Sequence, residues 1–465
     1  MGQTPYLDAL STWLGHAAAQ HANHSCAAAP QWQIDDRCLR QPASWIGPRL
    51  IAWPATLASS RWIGVVSSRI GRQLDQHPQW FTGLRYVCDH LEQDDVMISA
   101  DNTTTGRFLD RCRWLWKVPV VKLQQAPTTM PLAEWFARLA DTPCDDGDSI
   151  RWLLSPPLNP NVLPASLTQI PLADRAVAYL SDHLHVLHLR RNGHWHHLLR
   201  SRLSEPALPA NTVYFSSHSM PPKLANELVS LGALESQPNI PAASADAAQP
   251  KRPTTHPLVT AMPAIDSYLI HCTRRCDGPW PGQSEADYYD SLLLGLPSSH
   301  RSALAVLTRI VCQRRLLASA VTNRAGRRAV SFTAVPLPKL PALRKFRPHR
   351  ARWDFEPYGI GIKRPWLTRR GTKPVIYGED ACWNQLSESE QPFFQKSRSD
   401  GKSPVDWTSE KEWRHLGDVD LQSLPHHAAF VFVPDYQAAV QLAPRSPWPV
   451  FILNPTHGPQ QLQGP

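Results

Sequence analysis

The sequence predicts an α/β amino-terminal half, a Rossmann-like doubly wound parallel sheet, followed by an α+β carboxy-terminal domain. Three observations carry that expectation. Between residues 61 and 233 short apolar runs alternate with polar turns and amphipathic stretches, the grammar of repeated strand–turn–helix units. Residues 234–257, LESQPNIPAASADAAQPKRPTTHP, are rich in Ala, Pro and Ser and show no hydrophobic period, as an interdomain linker does. Beyond residue 257, helical patterns come early and short strand patterns fill the rest. At 465 residues the chain is too long for one ordinary core. The expected organisation is an irregular or helical extension over 1–60, a nucleotide-sensing Rossmann-like domain over 61–233, the linker, and an α+β domain over 258–465.

Hydrophobic residues make up 42% of the chain and charged residues 19%, a globular composition. The 18 tryptophans place many indoles at core edges, where the ring is buried and its N–H finds a partner. The formal charge of +9 points to an anionic partner such as a nucleotide or nucleic acid. The excess is spread along the chain, with local clusters near Arg314–Arg328 and Arg344–Arg352. Any single cluster also reads as plain solvated surface. No apolar run is long enough for a bilayer, and the first residues lack a basic segment followed by an apolar one. The expectation is a cytoplasmic protein with no membrane partner. The nine cysteines include no CxxC pair, so reduced thiols are expected, with no zinc ribbon and no metal.

A helix is expected at Tyr6–His21. The first clear strand is Trp62–Val66, which ends in Ser67, Ser68, Arg69 and Gly71 as a buried parallel strand runs into a polar turn. A helix over Trp80–Glu92 follows, with Phe81, Leu84, Val87 and Leu91 at helical spacing. Asp95–Ser99 is the second strand. Thr103, Thr104 and Gly106 then stand at a helix start, where backbone N–H groups can receive an anion. Pro119–Leu123 is the third strand. A second cycle begins near 149–157 and continues with a helix at Leu172–Ser181 and a strand at His183–Leu189. It closes with a strand at Thr212–Ser216 and a helix at Pro222–Leu231. In such sheets ligands bind beyond the carboxyl ends of the strands. That rule selects Ser67, Ser68, Arg69, Thr103 and Thr104 as nucleotide-binding candidates, with Ser155, Arg190 and Gly193 beside them. The absence of GxGxxG speaks against a dinucleotide dehydrogenase. The histidines between 183 and 197 have no carboxylate or cysteine nearby to complete a metal set.

This arrangement, with a Ser-rich turn after the first strand and a Gly–Thr loop before a helix, resembles the Rossmann-like DNA-processing protein A and SLOG nucleotide-sensing group. The resemblance spans roughly residues 60–205 and implies a nucleotide ligand. Each Ser or Thr here reads equally as a helix cap.

In the carboxy-terminal part, strands are expected at Ser267–Ile270, Val330–Phe332, Tyr358–Lys363, Pro374–Tyr377, Glu412–Arg414, Phe430–Val433 and Pro449–Leu453. Helices are expected at Asp287–Leu296 and His300–Ser319. The order of chemical groups is His271-x-Thr273 with Arg274, then Ser331-x-Thr333, then Glu410-x-Glu412 beside Trp413 and Arg414. On a strand, Glu410 and Glu412 would face the same side.

That order looks like the ADP-ribosyltransferase scheme. The string SFTAVPL, EPYGIGIKR, KPVIYG and EKEWR over roughly 265–435 also looks like the AbiGi-type abortive-infection proteins of phage defence. The resemblance implies NAD as cofactor and a nucleic-acid or protein acceptor. His271 would hold a ribose or phosphate, Ser331 and Thr333 would support the site, and Glu412 would stabilise the oxocarbenium formed as the N-glycosidic bond breaks. Thr273, Arg274, Tyr358 and Tyr377 would line the cofactor site, and Glu410 and Arg414 would stand beside Glu412. The chain departs from these patterns at Ala334, where an acidic residue is usual, and at Cys272, where glycine is usual. Each of these residues also has a structural reading as a satisfied strand-end histidine, β-former or ion ladder. Two rival functions use the same stretch. One is a non-catalytic nucleic-acid-binding protein that works through its basic residues. The other is a metal-dependent nuclease with Glu412, Asp418 and Asp420.

Overall fold

The computed structural model describes residues 32–35, 45–57, 59–101, 103–141, 150–158, 169–236, 258–259, 267–319, 324–347, 352–396 and 407–454. The expected helix at Tyr6–His21 and the linker from residue 237 onward lie outside them. The chain forms two compact units, residues 1–243 with 278–299, and residues 244–277 with 300–465.

The first unit is built on a sheet of β1 (Trp32–Asp35), β2 (Ile51–Pro54), β3 (Arg61–Ser67), β4 (Asp95–Ala100), β5 (Val120–Gln125), β6 (Ile150–Leu154), β7 (His183–His188), β8 (Val213–Phe215) and β9 (Leu234–Glu235). Their order is β1-β2-β6-β5-β4-β3-β7-β8-β9. All neighbours from β6 to β9 are parallel, and β1 and β2 add an antiparallel edge. Buried strands of such a sheet are apolar on both faces, and β3 shows it. Trp62 and Val66 enter one core with the helices Leu172–Leu180, His194–Leu203 and Pro222–Ser230. Ile63 and Val65 enter the other with Pro78–Asp89 and Thr104–Trp116. Gly64 lies between them because a Cβ there would stand 2.2 Å from Ser181 Oγ. Strand order reverses between β3 and β7, which makes that pair the switch point of a doubly wound sheet.

The segment 278–299 belongs to this first unit. Its helix, Glu285–Leu293, is capped by Ser284, whose hydroxyl accepts the Asp287 N–H at 3.0 Å. Tyr288, Leu292 and Leu293 complete the core that Phe81 and Phe108 begin. Arg111 holds Asp290 through two hydrogen bonds of 2.7 and 2.6 Å, and Arg85 donates to the Leu293 carbonyl at 2.6 Å. A local helical pattern carries no signal of which core it completes.

The strands of the second unit are β10 (Leu258–Val259), β11 (Tyr268–Cys272), β12 (Arg315–Leu316), β13 (Ala329–Thr333), β14 (Lys345–Arg347), β15 (Arg352–Asp354), β16 (Gly359–Lys363), β17 (Lys373–Pro374), β18 (Ile376–Gly378), β19 (Phe394–Lys396), β20 (Glu412–Leu416), β21 (Val419–Asp420), β22 (Ala429–Val433) and β23 (Val450–Ile452). The main sheet runs β10-β23-β22-β16-β11-β13-β20-β17, and its central pairs are antiparallel. Gly359 and Gly361 are bare because Phe432 and Phe430, directly opposite on β22, lay their rings over them. The helix expected over 300–319 stops at Gln313, where Arg314 turns left-handed (φ 48°), and Arg315–Leu316 becomes a strand paired with β21. The expected strand 374–377 splits, with Pro374 on the main sheet and Tyr377 on a separate pair with β19.

Leu293 is fully buried at the end of the inserted helix. Leu293→Ala is expected to destabilise the first unit by about 3 kcal/mol, the usual cost of a leucine-sized cavity. Denaturant unfolding of the full-length variant checks it.

Candidate nucleic-acid interface

The alternation of side chains across the second unit's sheet decides which expected site residues meet. Ile270 stands opposite Thr333, and Thr333 opposite Glu412, so these share one face. His271 points to the other, where its ring packs on Phe332 at 5.8 Å and its Nδ1 lies 2.8 Å from the Ser331 carbonyl oxygen. Burial pushes its pKa down to about 4, so the imidazole is neutral. His271 and Glu412 therefore occupy opposite faces of the sheet. The single cleft that the transferase arrangement requires is not formed by this pair. Thr273 is buried and its hydroxyl donates to the Ala303 carbonyl at 3.3 Å, while Arg274 is exposed. Tyr358 is half-buried against the apolar core.

On the other face Glu412 is the centre of a clamp. Arg414, 2% exposed, donates to both its carboxylate oxygens at 3.0 and 3.2 Å. The same guanidinium donates to the carbonyls of Pro392 and Phe394 at 3.2 and 2.9 Å and to Gln395 Oε1 at 2.7 Å. Ser331 Oγ donates to Glu412 at 2.7 Å, and the Glu412 N–H donates to the Tyr377 hydroxyl oxygen at 3.1 Å. Burial, the largest cause, raises the Tyr377 phenol to about 12. Thr333 is buried, donates to the Glu410 carbonyl and accepts the Val335 N–H. Glu410 and Glu412 do not share a strand. Glu410 ends a short helical turn, Lys411 is left-handed (φ 44°), and β20 begins at Glu412. The rest of the nuclease set is also engaged. Asp418 accepts from Arg315 and from the Ala318 N–H, both at 2.7 Å, and Asp420 accepts the Gln422 N–H at 2.8 Å. Among the described residues no three His, Cys, Asp or Glu side chains are grouped to hold a metal.

In the first unit the expected nucleotide-binding residues lie at two strand ends. Ser67 Oγ accepts the Trp80 indole N–H at 2.8 Å and donates to the Ser68 carbonyl, and Ser68 Oγ accepts the Arg190 N–H at 3.1 Å. The Ser68 bond ties the end of β3 to the turn after β7, and the Trp80 bond ties it to the helix Pro78–Asp89. Arg69 is exposed. Thr103 is the N-cap of Thr104–Trp116, accepting the Gly106 N–H at 3.0 Å. Thr104 opens that helix half-buried. The histidine-rich stretch is likewise structural in part, with His196 buried and its Nε2 3.2 Å from Glu227.

The feature with most chemistry left over is the β14–β15 hairpin. It pairs Lys345 with Asp354, Phe346 with Trp353, and Arg347 with Arg352. One face is rooted. Arg347 donates to Asp354 at 2.8 Å, lies 5.1 Å over the Trp407 ring and stands 3.9 Å from Glu410. The other face is open. Phe346 and Trp353 are 43% and 42% exposed, their rings 5.4 Å apart, and the Arg344 guanidinium sits 4.7 Å over Trp353. Beyond Trp353, Phe355 turns the chain left-handed (φ 55°) and packs into the apolar core behind Ile270 and Phe432. Arg327, Arg344 and Lys345 are exposed and meet no carboxylate among the described residues.

The charge in the sequence leading into this hairpin is concentrated. Residues 301–353 contain thirteen Lys and Arg and no Asp or Glu, more than the +9 excess of the whole chain. The excess is therefore not spread, and counting the missing acids as well as the bases would have located it. Aromatic residues between the cations, in RKFRPHRARW, were the second signal.

Beneath the hairpin, burial pushes the Glu410 carboxyl up from 4.5 to about 7, and Glu412 and Asp354 add to the rise while Arg347 opposes it. A carboxyl with a raised folded-state pKa binds its proton more tightly in the folded chain. Its contribution to stability is thus present in full below about 4.5 and is lost as pH rises through about 7. Stability should fall by on the order of 2–3 kcal/mol across that window. Glu410→Gln should lack that component, a difference that paired denaturant titrations across the window read directly.

No protein family matches the chain, and no curated protein matches it. Among solved structures, DNA processing protein A from Streptococcus pneumoniae is similar at 16% identity with a TM-score of 0.27, over 40% of this chain and 62% of that one. The chain thus spans less than two thirds of that protein. DNA processing protein A from Helicobacter pylori, described for its single-stranded DNA binding mode, is similar at 12% identity with a TM-score of 0.27, over 44% of this chain and 90% of that one. Likenesses at that level carry no conclusion about what this chain does.

Proposed function

We propose that this protein binds nucleic acid without acting on it, through the basic region of its second unit, with the β14–β15 hairpin as the contact surface. The observation that carries the reading is a local excess of positive charge, the thirteen cations and no acids of residues 301–353, in which Arg315, Arg324, Arg328 and Arg347 pair with acids from later in the chain while Arg327, Arg344 and Lys345 meet no carboxylate among the described residues. A polyphosphate fits such a surface because each neutralised phosphate releases condensed counterions, which supplies affinity without sequence selection. Arg344 lies on the hairpin's open face and Lys345 on the side of Arg347, and both are exposed and so accessible to phosphates. An NAD-using transferase would need His271 and Glu412 in one cleft. The sheet lies between them, and Glu412 is taken up by Arg414 and Ser331. No observation of the site favours that chemistry over binding.

Affinity of the full chain for a labelled oligonucleotide, measured over a range of salt concentrations, tests the reading. The logarithm of the binding constant should fall linearly with the logarithm of salt concentration. In Arg344→Ala/Lys345→Ala that slope should become shallower by about 1.5, the loss expected for two phosphate contacts. A slope near zero in the parent protein would refute the proposal.

A further inference from the structure

We infer that the β14–β15 hairpin is a stacking platform for unpaired bases, so that the interface takes single-stranded nucleic acid in preference to duplex. The inference rests on the nucleic-acid reading above and adds the form of the polymer that the site selects. Its geometric basis is the Phe346–Trp353 pair. These are direct cross-strand partners, with ring planes at 58°, and both are exposed on a pair of three-residue strands. Folding ordinarily removes aromatic surface from water, and here two rings stay in it side by side.

The rings are held, not left loose. The opposite face of the hairpin is fixed by Arg347 through Asp354 and the Trp407 ring. On the open face the Arg344 guanidinium sits over the Trp353 ring, 4.7 Å from its centre, and brings a cation onto the aromatic surface. The open face thus carries the cation of Arg344 beside the rings of Phe346 and Trp353, which stand across from each other, while Lys345 and Arg347 alternate to the opposite face. Duplex DNA offers phosphates to such a surface but keeps its base faces inside the stack. A single strand offers both, phosphates to the cations and free base faces to the rings. Stacking is tolerant of sequence because every base has a π-face, so the site selects strandedness and not sequence. The nearby carboxylates do not compete for the open face, since Asp354 is engaged by Arg347 and Glu410 lies on the rooted side.

The test compares an oligo-dT of about 20 nucleotides with a duplex of equal length, at matched salt, on the full chain and on Phe346→Ala and Trp353→Ala. Both side chains are exposed, so the variants should fold, and unchanged thermal unfolding verifies it. The single strand should bind at least roughly tenfold more tightly than the duplex. Each alanine variant should lose about tenfold on the single strand, with duplex affinity and salt slope unchanged, and Trp353→Tyr should recover most of the loss. Equal affinity for the two forms, or alanine variants that weaken both alike, would overturn the stacking platform and leave the nucleic-acid reading standing. Absence of salt-dependent binding to either form would overturn both.

Discussion

Arg347 is the cation on which the second unit's surface depends. Its side chain turns inward, toward Asp354, Trp407 and Glu410. Two short strands with three pairs of partners are too small to hold themselves together in water. The ion pair and the ring contact on one face fix the hairpin, and fixing that face determines what the other must present. Because β-strand side chains alternate, Phe346 and Trp353 are forced outward as soon as Arg347 is forced inward. The exposed rings are thus a consequence of where the root lies. Their exposure would otherwise be an unexplained loss of buried area.

The same alternation removes the enzymatic arrangement that the strand order implies. His271 and Glu412 each sit on a strand of one continuous sheet, and their residue types suit NAD chemistry. Whether they meet depends on parity summed over two pairings, β11 with β13 and β13 with β20. A shift of one residue in either register would place both on one face. Register is set by partners far away in the chain, so it is not written in the local pattern around either residue. Strands were expected at Val330–Phe332 and Glu412–Arg414 and are found there, but strand facing was not legible. The left-handed Lys411 had the same effect on Glu410, whose spacing from Glu412 implies a shared side that the backbone does not give.

In the first unit, local sequence said more. Apart from the helices Leu132–Asp141 and His194–Leu203, the strands and helices from Trp62 to Leu231 follow from short apolar runs and helical spacing, and the parallel sheet follows from their alternation. What the pattern lacked was the completion of its core by Glu285–Leu293. Tyr288, Leu292 and Leu293 lie on one stripe of a helix that any core would accept. The polar turn at Ser67 and Ser68 was visible as a motif, but its hydroxyls are spent on Trp80 and on the β7 turn. A polar residue at a strand end is a ligand candidate only to the extent that the fold leaves its donors and acceptors unclaimed.

That criterion also sorts the arginines. Arg202 is buried, and its guanidinium donates to the Ala178 and Ser181 carbonyls and to Thr212, with burial lowering its pKa to about 10. Arg414 is spent on Glu412 and on two backbone carbonyls. Such cations are expensive to desolvate and are held by the several carbonyl, hydroxyl or carboxylate acceptors gathered around them, which makes them structural. Arg344 and Lys345 are the opposite case, exposed and meeting no carboxylate among the described residues, in a stretch of sequence with no acid from residue 301 to Asp354. Charge left in water costs the fold little and stabilises it little. Its energetic effect appears when a partner of opposite charge displaces counterions, and under the proposed reading the rings of Phe346 and Trp353 would meet the flat faces such a partner carries between its phosphates.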